Sequence, residues 1–126
     1  MKLIISDGGR SKAGIKDSRA CTVIALASSA NITYRAADDI GVAAGRKRNR
    51  RFETAKIVAA ARKKGFNFSK DFIRKPVTAE RFCAERPEGR YIARVSGHAF
   101  AVVGSYVLSN QRVSPLSRIT HARKLD

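Results

Sequence analysis

The sequence predicts an α+β fold, and three observations carry that expectation. Helical periodicity fills the chain up to about Glu85, period-two alternation takes over after Pro87 and Gly89, and no strand–helix–strand alternation mixes the two. Helices followed by an antiparallel meander form segregated α and β regions, with the most apolar helix packed on the C-terminal sheet.

The elements follow in order. Lys2 to Ser6 reads as a short edge strand, and Asp7-Gly8-Gly9 as a turn. In DSRACTVIALASSA, Asp17 or Ser18 stands where it would cap a helix beginning near Arg19. Ala20, Cys21, Val23, Ile24, Ala25, Leu26 and Ala27 leave that helix almost no polar face, the signature of a central, buried helix. A second helix is expected from Thr33 to Ala44, with Ala36, Ala37, Ile40, Ala43 and Ala44 as its stripe and Gly45 as its stop. The run Arg46-Lys47-Arg48-Asn49-Arg50-Arg51 leads into a third helix over about Glu53 to Lys64, with Ile57, Val58 and Ala61 at helical spacing. Phe66, Phe68 and Phe72 suggest extended chain. Thr78 is the N-cap of a short fourth helix ending at Glu85, with Val77 and Phe82 placed as a hydrophobic staple. Tyr91–Val95, His98–Val103 and Tyr106–Leu108 are the strands, with a tight turn at Gly104-Ser105. From about Arg112 the chain reads as a basic, weakly patterned tail, in which Ile119 is a candidate for a last strand.

The totals bound the function. A chain of 126 residues with 44% hydrophobic content suits one globular domain spanning 1–126. No apolar run approaches a membrane span. The start MKLIISDGGRSK lacks the apolar core of a secretory signal, so a cytoplasmic protein is expected. The two cysteines, Cys21 and Cys83, are then expected as free thiols. Together with His98 and His121 they lack the close pairing of a structural zinc site, and no metal or cofactor is expected. The formal net charge of +16 implies attraction to anions: nucleic acid, an acidic protein surface or an anionic membrane face. Arg46, Lys47, Arg48, Arg50 and Arg51, with Lys63 and Lys64, form the candidate anion-binding patch. Phe52 is the only ring beside the run, so any nucleic-acid binding is expected to be salt-sensitive and sequence-tolerant.

Cys21 and His98 are the candidates for chemistry. A thiol in the first turn of a helix meets unpaired amides and the positive end of the dipole, which favour a thiolate and can share in an oxyanion hole. Gly97 permits close approach just before His98. Hairpin register decides which side chain orients the imidazole. A two-residue loop at Gly104-Ser105 sets His98 opposite Gln111, with Ser109 on the same face, whereas a three-residue loop sets it opposite Asn110. Asn110 is the preferred orienter by chemistry, since an amide oxygen accepts from the ring N–H; Ser109 and Gln111 are the alternatives.

The segments DSRACTVIALASSANITYRAADDIGVAAGRKR and TAERFCAERPEGRYIARVSGHAFAVVGSYVLSN resemble a group of small phage and bacterial proteins with a papain-like cysteine-peptidase fold, distantly similar to the bacteriocin-processing peptidases. The resemblance covers roughly residues 17 to 110. Its most specific pieces are the Cys helix with the Tyr-containing helix and Gly-Arg after it, and Pro-x-Gly-x-Tyr-x-x-x-x-x-Gly-His before a hairpin. It implies Cys21 as nucleophile and His98 as general base, in a host cytoplasm if the chain is phage-encoded. The chain departs from the group's pattern in two places. Ser109-Asn110 stand where an acidic residue is common, and no Gln lies upstream of Cys21 to complete the oxyanion hole.

Two functions are therefore expected. One is a thiol hydrolase cleaving a peptide or isopeptide bond of a protein substrate, which requires the Cys21 sulfur within hydrogen-bond reach of the His98 ring. The other is an inactive papain-like scaffold that binds nucleic acid or an acidic host protein through its basic surface.

Overall fold

The computed structural model describes residues 1–126 and has an α+β architecture. Strand β1 (Lys2–Ile5) precedes three helices, α1 (Cys21–Ala30), α2 (Tyr34–Ala43) and α3 (Thr54–Lys63). A short β2 (Val77–Thr78) runs into α4 (Ala79–Glu85), and β3 (Arg90–Val95), β4 (His98–Val103), β5 (Tyr106–Ser109), β6 (Arg118–Ile119) and β7 (His121–Leu125) complete the chain.

The main sheet has the order β1-β5-β4-β3-β7. The meander β3-β4-β5 is antiparallel as expected, but β1 lies parallel to β5, so the sheet is mixed. The residues after Arg112 are not a tail. Arg118–Ile119 pairs with β2, and His121–Leu125 forms the antiparallel neighbour of β3. Their strand pattern is weak locally because within these two strands only Ile119 and Ala122 are fully buried; the pairing partner supplies the rest.

The alternation of β3 and β4 sorts two cores. Ile92 and Ala99 point to one face and join α1, α2 and α3, with Val23, Leu26, Tyr34, Ile57 and Val58 at the centre. Tyr91, Ala93, Phe100 and Val102 point to the other face and pack with Phe82 and Cys83 of α4, Val107 and Ile119. The small residues Ala99 and Ala101 let α1 lie close on β4, and seven of its ten residues are buried. Helix α1 is thus the buried central helix that its composition predicts.

Thr33 and Thr78 cap their helices, accepting from the amides of Ala36 and Arg81. The cap expected for α1 is absent. Its N-cap residue is Ala20, at φ −98°, ψ 13°, and no side chain closes the first turn. Asp17 and Ser18 are turned away from it.

Candidate active site

Asp17 is turned away because it is the centre of a buried ion-pair cluster. Arg46 grips it with both arms of the guanidinium, at 2.7 and 3.0 Å, and neither side chain is exposed. The amides of Asn49 and Arg19 donate to Oδ1, and the Tyr34 hydroxyl donates to Oδ2. Burial pushes the Asp17 carboxyl up, but the Arg46 guanidinium and the two amides more than offset this and hold it below the usual carboxylate range. Burial, then the Asp17 charge, pushes the Tyr34 phenol up. Arg46 also donates to the Arg19 carbonyl at 2.8 Å, and Asn49 Oδ1 accepts from the Ser18 amide at 2.9 Å. The chain entering α1 is therefore fixed from below, just before Cys21.

Arg46 accordingly leaves the anion-binding patch, because its charge is spent on Asp17 and it is 3% exposed. Arg48 is partly withdrawn too, paired with the buried Asp38 at 2.6 Å. Lys47, Arg50, Lys63 and Lys64 are exposed, with no carboxylate partner. Lys63 and Lys64 join Lys56 beside a shallow groove of about 310 Å³ between α2 and α3.

Cys21 is the first residue of α1 and is half-buried. With no cap, the amides of Cys21, Thr22 and Val23 have no partner within the helix. Cys83 differs: it is buried in the second core, where burial pushes its thiol up, so its role is packing.

His98 opens β4. Gly104 and Ser105, with φ of +56° and +66°, make the two-residue turn that pairs Val103 with Tyr106. That register corrects the assignment of Asn110 as orienter. Ser109 lies on the face of His98, and its Oγ meets Nε2 at 2.7 Å. Asn110 falls on the other face and is exposed. Ser109 Oγ also accepts from the Gln111 amide at 3.2 Å. Its hydroxyl can then donate to Nε2 or accept from it, whereas an Asn oxygen could only accept. The ring stacks on Phe100, and burial pushes the imidazole below its usual value. Nδ1 makes no hydrogen bond within the protein.

Cys21 and His98 line one open cavity of about 890 Å³, with Asn110 and Gln111 on its wall. No hydrogen bond joins the sulfur to the imidazole, contrary to the expectation for a preassembled pair. The reason is the pleat. His98 shares the face of Phe100, while α1 covers the face of Ala99. The β4–β5 ladder ends at Ala101 and Leu108, so the backbone of His98, Ala99 and Phe100 is paired with β3 alone.

Three further residues of the cavity were not singled out for chemistry in the sequence: Arg19, Arg94 and Glu53. Arg94 is legible only once Arg94–Ala99 pairing places it on the face of α1. Arg51, expected in the patch, lines the cavity and reaches the Gly97 carbonyl at 3.4 Å. No cluster of His, Cys, Asp and Glu with metal-binding geometry occurs, and no helix is long and apolar enough to cross a membrane. No family model matches this sequence, and no curated protein or solved structure matches it significantly.

Proposed function

We propose that this chain is a thiol hydrolase of the papain-like type, acting on a peptide or isopeptide bond of a protein substrate. One observation supports the reading above others. A single open cavity collects a thiol on an uncapped helix N-terminus and an imidazole whose Nε2 is held by a hydroxyl of the neighbouring strand.

In this reading His98, neutral at pH 7 because burial disfavours its charged form, rotates its side chain toward the shared cavity and takes the Cys21 proton on Nδ1. The thiolate attacks the acyl carbon, and the C–N bond breaks as the imidazolium returns its proton to the leaving amine. Water then gives its proton to His98 and attacks the thioester, releasing the acid and the thiol. The free amides at the start of α1 face the oxyanion. The side-chain amides of Asn110 and Gln111, across the cavity, stand in for the missing upstream Gln.

An activated ester tests this. Wild-type protein should give a burst of nitrophenol from a 4-nitrophenyl ester, absent in Cys21→Ala and slowed roughly a hundredfold in His98→Ala. Hydrolysis surviving Cys21→Ala would sink the proposal.

The absence of a Cys21–His98 hydrogen bond favours a second reading, an inactive scaffold that binds nucleic acid or an acidic protein through Lys47, Arg50, Lys63 and Lys64. A burst indifferent to His98, with RNA or DNA affinity falling steeply with salt, would select it.

A further inference from the structure

The cavity carries a charge pattern that thiol chemistry does not require. Arg19, Arg51 and Arg94 all line it, and none has a carboxylate within ion-pair distance. The three come from separate parts of the fold: the approach to α1, the loop before α3 and strand β3. Several arginines elsewhere are engaged by partners within the chain. Arg46 and Arg48 are paired with aspartates, and Arg62 is spent on the carbonyls of Phe68 and Ser69. In the cavity the only bond made by a guanidinium is that of Arg51 to Gly97. Glu53 is the sole acidic lining residue and pairs with none of the three.

Unpaired guanidinium groups lining one open cavity offer forked donors that match a planar anion. We infer that the site selects acyl substrates carrying a carboxylate close to the scissile bond, an Asp or Glu side chain in a peptide, which Arg51 and Arg94 grip while Cys21 attacks. This deepens the thiol-hydrolase reading and rests on it. A carboxylate is favoured over a nucleic-acid phosphate because these arginines line the same cavity as the thiol, where a nucleic acid offers no acyl carbon.

Two measurements on the full chain separate the claims. Iodoacetate and iodoacetamide differ by a carboxylate against an amide, and with Cys83 1% exposed, alkylation of the native protein reports on Cys21. At low ionic strength the iodoacetate-to-iodoacetamide rate ratio should exceed that of Arg51→Gln/Arg94→Gln by about tenfold, equivalent to about 1.4 kcal/mol. The excess should vanish in 1 M NaCl, where the screening length is about 3 Å. An equal ratio in wild type and the double variant overturns the inference. In the second measurement, the 4-nitrophenyl esters of glutaric and glutaramic acid are compared as substrates. Preference for the acid that is lost in the double variant supports the inference. Equal hydrolysis of both leaves the hydrolase standing and overturns the specificity. Hydrolysis of neither overturns the hydrolase, while the alkylation ratio still decides what the arginines attract.

Discussion

Replacing Arg46 with alanine removes the one cation gripping a carboxylate that has no exposed surface. Breaking a buried pair from one side costs about 3–5 kcal/mol, because the partner keeps its desolvation and loses its counter-charge. Asp17 would retain the amides of Asn49 and Arg19 and the Tyr34 hydroxyl, which places the expected loss near the lower end of that range. A chain of this length has a total stability of roughly 6–19 kcal/mol. With a urea slope of about 2 kcal/mol per molar, the midpoint should fall by about 1.5 M. Arg46→Lys keeps the charge but loses the fork, and should fall between the two. The acid dependence carries an independent sign. The Asp17 carboxyl is depressed in the fold, so its stabilisation is complete above the unfolded value and is lost as pH falls through the folded one. The gap between wild type and Arg46→Ala should therefore narrow below about pH 3.8. A midpoint shift under about 0.5 M at neutral pH would show that the Asp17 cluster is not the strut described.

Two further predictions concern the imidazole. Ser109→Ala leaves His98 Nε2 and the Gln111 amide without their shared partner. It should cost about 1–3 kcal/mol in urea unfolding and slow the nitrophenol burst. Because burial lowers the folded value of His98, the unfolded chain binds the extra proton first. Stability should be fully present above about pH 6.5 and decline as pH falls below it, a slope that His98→Gln removes; an unchanged slope in that variant would assign it to another group.

Much of this fold was legible in the sequence, for identifiable reasons. Helices α2, α3 and α4 announced themselves by period, caps and glycine stops. Helix α1 was marked by a lack of any polar face. What stayed hidden depended on tertiary partners. Asp17 reads locally as a cap, and only the fold brings Arg46 to it. Strand β7 carries too little apolar character to be recognised without β3 beside it. At the site, Cys21 and His98 were correctly placed at a helix start and a strand start, and they do share a cavity. Their missing contact follows from the parity of the β4 pleat, which chain order does not encode. The same parity promoted Ser109 over Asn110 once the Gly104-Ser105 turn had fixed the register.

The two sides of the main sheet are finished differently. Beyond β7 the chain at 67–72 runs alongside, with the Ser69 and Phe72 amides bonded to the Lys124 and Ala122 carbonyls, so that border is already satisfied. Strand β1 has β5 on one side only, and Ile4 and Ile5 are 44% and 62% exposed. Any edge-to-edge association of these sheets must therefore use β1. With a single open border on the main sheet, association through that sheet closes at two molecules about a two-fold axis rather than propagating.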